Sequence, residues 1–391
     1  SYATISLFAI LSLILIFKIT REGFRMPIWA SLFAVLVFAF GSTAWSYSIT
    51  IYQHMITVFL VLFAFYSAWK FKQKTRFSWL WGMSFWFTYG ISWFFDYPNA
   101  IILLPLVIYF LLASLSFEST STKWRAKLRV SLLATSVVFI GIVALHAYYN
   151  VLALGNPLQF TNTLPRYEIF NYEELIGVDS EVVARQKSEP TTIFREVALA
   201  NGFYELTVAP DKGLFFFSPI FLMSLLGIYY LRKQINLEGG TLLGVAAITF
   251  FLYSSFADPW GGWAYGPRYL IPAMPILAIF ASFAIYKSGL WGKITGFALF
   301  LVSSAIALLG AITTNLTPPK VEADYLGLKY GIWQNWSVFK EGSSGSFIYN
   351  TYLSNSLTLQ EYFAILYLAL ILIAGVIIFV LPKFKQLNYE S

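Results

Sequence analysis

Cysteine is absent from this 391-residue chain, and histidine occurs only twice, at His54 and His146. Without thiols there is no disulfide framework, no Cys-ligated zinc, no iron–sulfur cluster and no thiol nucleophile. Two histidines leave little room for a His-built metal site, and no metal is indicated. Charge is scarce as well: 12% of residues are Asp, Glu, Lys or Arg, against roughly 25% in an average soluble protein. Also missing are a P-loop, a Rossmann glycine pattern, an HExxH motif, an internal repeat and a heptad run. What is present is apolar, 58% hydrophobic and 19% aromatic. A water-soluble chain of this length needs more polar surface than that to cover its core. The composition is that of a protein embedded in a membrane.

A membrane-crossing helix needs roughly 20 mostly apolar residues. Such runs, bordered by charges and by Pro/Gly clusters, occur at 1–17, 27–45, 54–69, 77–95, 99–117, 130–150, 214–231, 240–256, 269–286, 294–313 and 361–381. The expectation is an all-α, polytopic, single membrane domain over 1–391 with about eleven spans. The runs 77–95 and 99–117 are parted only by Asp96-Tyr97-Pro98, which reads as a boundary or as a kink, with Pro98 suited to a first helical turn.

Alternate connections carry the basic residues: Lys18, Arg21 and Arg25; Lys70, Lys72, Lys74 and Arg76; Lys123, Arg125, Lys127 and Arg129; Arg232 and Lys233; Lys287 and Lys293; Lys383 and Lys385. These are 17 of the 26 Lys and Arg, and they share that face with only Glu22, Glu118, Glu238 and Glu390. Positive residues in short loops mark the cytoplasmic side. The net +7 charge is therefore a topology signal and not a nucleic-acid-binding one. The C-terminus is expected in the cytoplasm and the longer loops outside, in a plasma membrane. Eleven spans then start Ser1 outside, at the outer end of a helix, which leads to the expectation that an N-terminal portion precedes it.

The outer face is expected to hold two long segments, 151–213 and 314–360, that roof the bundle. Their many aromatics, Phe160, Tyr167, Tyr204, Trp333 and Trp336 among them, argue for order. Thr191 to Ala200 reads as a helix closed by Gly202, either lying in the membrane interface or packed on its own loop. Two sequons, Asn315-Leu-Thr317 and Asn335-Trp-Ser337, are compatible with N-glycosylation on that face.

The chemically richest stretch is Ala257-Asp258-Pro259-Trp260-Gly261-Gly262-Trp263-Ala264-Tyr265-Gly266-Pro267-Arg268-Tyr269. Its Gly and Pro residues dictate a turn-rich backbone, and its Trp and Tyr rings offer flat faces of the kind that stack on sugar C–H groups. Asp258 can pair with hydroxyls, and Arg268 suits bidentate phosphate. The plainer reading is an interfacial aromatic belt with a tight turn. In Asp211-Lys212-Gly213 the long loop re-enters the membrane, and Lys212 either meets a phosphate or snorkels. Asp96 is either a functional acid or a helix N-cap. His54 and His146 each read as a hydrogen-bonded structural residue or as a catalyst.

In order along the chain come Gly41-Ser42-Thr43-Ala44-Trp45-Ser46-Tyr47-Ser48, Asp96-Tyr97-Pro98, Tyr149-Asn150 with Gly155-Asn156-Pro157, Lys212-Gly213-Leu214-Phe215-Phe216-Phe217-Ser218-Pro219, and Trp260-Gly261-Gly262-Trp263-Ala264-Tyr265-Gly266-Pro267-Arg268-Tyr269-Leu270. Together they resemble GT-C type membrane glycosyltransferases of bacteria and archaea, relatives of dolichyl-phosphate-mannose–protein mannosyltransferases, over about residues 1–290. The resemblance implies an enzyme that moves a sugar from a polyprenyl-phosphate-linked donor to an acceptor on the outer face. It implies Lys212 and Arg268 at the carrier phosphate, and Trp260, Trp263 and Tyr265 near the sugar, with Tyr269 and His54 as further substrate-binding candidates. The family's catalytic acid lies in an outer loop ahead of the position that Ser1 occupies. Asp96 and Asp258 are the substitutes within this chain. The implied partners are membrane lipids and the lipid-linked sugar. The competing reading is a non-catalytic membrane subunit or carbohydrate-binding relative in a larger membrane complex. A transporter fits less well, because the runs are nearly charge-free and show no paired repeat.

Overall fold

The computed structural model describes residues 2–120, 123–128, 130–158, 198–232, 237–256 and 258–383. Helices dominate them. In chain order these are α1 (Tyr2–Lys18), α2 (Ile28–Phe40), α3 (Ala44–Ser48), α4 (His54–Lys72), α5 (Ser78–Phe95), α6 (Asn99–Ile102) and α7 (Leu104–Ser114). After a hairpin of β1 (Leu115–Thr120) and β2 (Lys123–Leu128) come α8 (Val130–Leu154), α9 (Ala198–Thr207), α10 (Leu214–Phe217), α11 (Leu222–Leu231) and α12 (Leu237–Ser254). The last are α13 (Met274–Lys287), α14 (Gly289–Ile312), α15 (Lys320–Leu326), α16 (Gly331–Lys340) and α17 (Leu359–Gly375).

Six helical segments are long and apolar enough to cross a membrane: Ala3–Gly23, His54–Lys72, Thr135–Leu154, Leu237–Ser254, Gly289–Ile312 and Leu359–Lys383. Shorter apolar helices cover Ile28–Phe40, Asn99–Ser114, Pro219–Leu231 and Met274–Lys287. In lipid the backbone must satisfy its own polar groups, so apolar runs become helices. Some buried hydroxyls return to the preceding turn, Ser42 to Phe38 O at 2.6 Å and Thr249 to Val245 O at 2.8 Å among them.

The centre of the bundle is α13, buried from Met274 through Ile285 and packed between α11 and α2. Bare glycines bring helices close: a Cβ on Gly227 of α11 would stand 2.0 Å from Phe280 O of α13. Small residues serve this purpose where lipid offers no hydrophobic drive between helices. On one flank α4 packs against α1, α5 and α7, and α8 lies outside α5 with most of its surface uncovered. At its other end α17 starts with a capping box, Thr358 Oγ1 accepting from Glu361 N at 3.2 Å.

Three local expectations are corrected. The all-α fold holds, but the end of one run does not: 115–117 leaves the predicted 99–117 helix as β1, paired antiparallel with β2 from Leu115↔Leu128 to Thr120↔Lys123. The alternation Leu-Ser-Phe-Glu-Ser-Thr against Lys-Trp-Arg-Ala-Lys-Leu has the period of a strand. Gly202 does not close a helix: α9 runs through it, and the missing side chain lets α9 lie against α12, where a Cβ would stand 2.2 Å from Ser254 O. The Thr191–Val197 part of that predicted helix lies outside the described residues, as do Phe160 and Tyr167. Asp96 is the C-cap of α5 and not an N-cap; Pro98 holds the N-cap position of α6.

Candidate functional site

Four segments meet at the end of the bundle away from the basic connections: 42–54, 208–219, 258–270 and 313–320. The turn from Asp258 to Arg268 is built on three glycines at positive φ, Gly261 at 70°, Gly262 at 64° and Gly266 at 68°, a region costly for other residues. Asp258 starts it by accepting the Gly261 N–H at Oδ1, 3.2 Å away. At Gly261 a Cβ would stand 3.0 Å from Arg268 Nε and Tyr269 Cε2. The missing side chain thus lets the backbone lie against the guanidinium.

Lys212 is fully buried. Its ammonium donates to Ala264 O and, at 3.5 Å, to Thr317 O. Thr317 Oγ1 donates to the same Ala264 carbonyl at 2.6 Å, and Ala264 N to Thr317 O at 2.9 Å. Asp211 Oδ2 takes the Lys320 N–H at 2.9 Å, at the first residue of α15. Asp211 and Lys212 together fasten the re-entry loop to two other segments. Burial lowers the Lys212 ammonium to about 8, which Asp211 opposes and Arg268 reinforces.

Tyr265 is fully buried, with its hydroxyl donating to Ile306 O at 2.8 Å and its ring edge-on to Phe217 at 5.0 Å. It is a pillar between the turn and α14, where a Cβ on Gly310 would stand 2.1 Å from its ring. Trp263 is exposed and its indole N–H donates to Glu322 of α15. Trp260 is half-buried beside it in the turn.

Arg268 occupies a tyrosine cage. Its guanidinium carbon lies 5.3 Å from the ring centres of both Tyr52 and Tyr269, within cation–π range. Tyr269 stacks on Tyr253 at 4.6 Å, and His54, nearly fully buried, stacks on Tyr52 at 6.1 Å and meets Tyr269 edge-on at 6.2 Å. Among the described residues the ion pairs are Lys70–Glu22 and Lys72–Glu238, both at the opposite end. Arg268 is in neither, and its buried Nε has no hydrogen-bond partner. With Nε closed off under Gly261, the rest of this half-buried guanidinium, in no ion pair and set among aromatic rings, is equipped for an anion with several oxygens.

The chain matches no known family model, no curated protein and no solved structure.

Two carboxyls flank the cage. Asp96 is half-buried, and burial raises its carboxyl above the ordinary range, offset by a hydrogen bond from Gln53. Its charge acts on both Tyr253 and Tyr269. Asp258 is exposed as a residue, but the turn draws its Oδ1 inward. Loss of solvent there raises the carboxyl, while the Gly261 N–H and Arg268 lower it. Tyr269 feels Asp258, Asp96 and Arg268 together.

The structure therefore gathers Arg268, Tyr269, His54, Asp96 and Asp258, and places Lys212 and Tyr265 beneath them as buried supports. His146 is apart, edge-on to Phe94 at 4.3 Å. Sequence reasoning passed over Tyr52, Tyr253, Gln53 and Glu322. The available signal was Tyr52-Gln53-His54 at the border of one run and Tyr253 near the end of another, a polar edge on apolar segments. The sequon at Asn335 is also corrected. Asn335 is fully buried, with its Nδ2 donating to Thr313 Oγ1 at 2.8 Å and Thr314 O at 2.6 Å.

Proposed function

We propose that this chain is a GT-C type membrane glycosyltransferase that moves a sugar from a polyprenyl-phosphate carrier to an acceptor hydroxyl on the outer face of a plasma membrane. The observation that carries the reading is Arg268, held between Tyr52 and Tyr269, in no ion pair among the described residues, with Asp96 and Asp258 both acting on Tyr269. The basic connections lie at the other end, which supports placing them in the cytoplasm and the cage outside. On this reading the bundle has about eleven spans, with the C-terminus cytoplasmic.

In the reaction the acceptor oxygen attacks the anomeric carbon, and the bond from that carbon to the carrier phosphate oxygen breaks. The electron pair leaves with the phosphate as polyprenyl phosphate, whose added charge is met by Arg268. The acceptor proton passes to a carboxylate. Loss of solvent raises the proton affinity of both, but Asp258 is also held by the Gly261 and Gly262 N–H groups and by Arg268, which lower it, so Asp96 is assigned the base. Tyr269, Trp260 and Trp263 offer faces to the sugar, Tyr265 and Lys212 hold the turn that carries them, and His54 fixes Tyr52 and Tyr269.

The test is to reconstitute the protein with a polyprenyl-phosphate hexose and to follow both carrier binding and sugar release. Arg268→Ala is expected to weaken carrier binding at least about tenfold, the loss of one charge-assisted contact, and Asp96→Asn to remove turnover while sparing binding. Unchanged binding by folded Arg268→Ala protein would sink the reading. Binding without turnover in the wild type would point to a non-catalytic, lipid-sugar-binding subunit.

A further inference from the structure

At the basic end, far from Arg268, the bundle contains two adjoining hollows of opposite character. The first, about 460 Å³, is lined by Glu22, Arg25, Trp69, Gln73, Leu231 and Glu238 among others. The second, about 520 Å³, is an apolar groove between α7 and α12, lined by Pro105, Ile108, Leu112, Leu237 and Thr241 with Tyr109. They share a wall. The Tyr109 hydroxyl donates to Glu238 Oε1 at 2.9 Å, and Lys72 Nζ reaches the same oxygen at 2.6 Å. A polar hollow beside an apolar groove has the profile of a molecule with a charged head and a hydrocarbon tail.

The charges decide which head. Each carboxylate is already charge-balanced, Glu22 by Lys70 at 2.8 Å and Glu238 by Lys72 at 2.6 Å. Arg25 is the unpaired charge: among the described residues it is in no ion pair. Its backbone is held at φ 52° just after the π-helical turn Ile19–Gly23, the kind of irregularity that clusters at ligand sites. Lys70 and Lys72 neutralise the two lining carboxylates from outside the hollow, which leaves Arg25 as the unbalanced charge of the lining, a match for one phosphodiester.

We propose that these hollows form a single site for an anionic glycerophospholipid, with its phosphate at Arg25 and Gln73 and one acyl chain along Ile108 and Leu112. The site depends on the chain lying in a membrane and not on glycosyl transfer. Its ligand enters from the leaflet at the basic end, where anionic lipid attracts Lys and Arg.

Native mass spectrometry of the full chain, loaded with equimolar dioleoyl phosphatidylglycerol and dioleoyl phosphatidylcholine, reads the site directly. The anionic lipid is expected to outlast the zwitterionic one by about tenfold. Arg25→Gln should abolish that preference, and Gln73→Glu, at an exposed position that folding does not depend on, should do the same by adding a negative charge. Ile108→Trp should fill the groove and shorten retention of both lipids. Tryptophan-fluorescence melting confirms that each variant is folded. Equal retention of the two lipids by the wild type would overturn the proposal, as would a preference unchanged in Gln73→Glu. So would competition by water-soluble glycerophosphoglycerol as effective as that by the intact lipid, since the groove would then hold no chain.

Discussion

The ammonium of Lys212 and the carbonyl of Ala264 meet in the interior, 52 residues apart in sequence. That contact, with Thr317 on the same carbonyl, sets where the glycine turn sits and hence where Arg268 points. A fully buried lysine bonded to backbone carbonyls is a structural tie whose removal should be costly. Lys212→Ala is expected to lose about 2–4 kcal/mol, combining a lost charged hydrogen bond with a cavity. The measurement is the fall in apparent melting temperature in detergent, with Thr317→Val as the companion variant.

Lys212 also implies a pH dependence of stability. Its folded value is about 8, below the ordinary 10.5, so between those values the unfolded chain binds more protons than the folded one. Stability therefore rises with pH across that window, and the lysine adds no slope below about 8. Subtracting the melting curve of Lys212→Met from that of the wild type should isolate this slope from other titrating groups. A difference curve flat between pH 8 and 10.5 contradicts the burial argument.

Helix contact through bare glycines makes a third expectation. Gly227→Ala puts a methyl 2.0 Å from Phe280 O and Gly202→Ala one 2.2 Å from Ser254 O. Each should cost about 1–3 kcal/mol through overpacking, whereas Gly141→Ala, with nothing within 4 Å of the new methyl, should change little. Comparing the three melting temperatures checks it.

For the sequons, expression in a glycosylating host followed by glycopeptide mass spectrometry should leave Asn335 unmodified in folded protein. Its amide is spent on Thr313 and Thr314. Recovery of glycan on Asn335 in protein of wild-type stability would count against the packing of α16 described above.

Much of the architecture was legible because lipid imposes a simple rule. An apolar run such as 54–69 or 294–313 must hydrogen-bond to itself, and it became α4 or α14 with ends shifted by a few residues. Hairpin 115–128 and the continuation of α9 through Gly202 were not legible in the same way. The first depends on pairing between two strands. The second depends on a contact with Ser254 that no local pattern encodes.

The same division runs through the candidate site. The glycine turn with Asp258 and Arg268 could be singled out in the sequence, since three glycines among aromatic rings dictate an unusual backbone whatever surrounds it. Sequence also determined the clustering of basic residues in alternate short connections. Tertiary structure alone decided that Tyr52 and Tyr269 enclose Arg268 with His54 and Tyr253 packed against them, that Asp96 acts on the same tyrosine as Asp258, and that Lys212 and Tyr265 are buried supports. Those outcomes depend on which distant helix ends pack together. Packing at that level is set by side-chain shape and by the few polar groups each end must satisfy, and neither is written in any one segment.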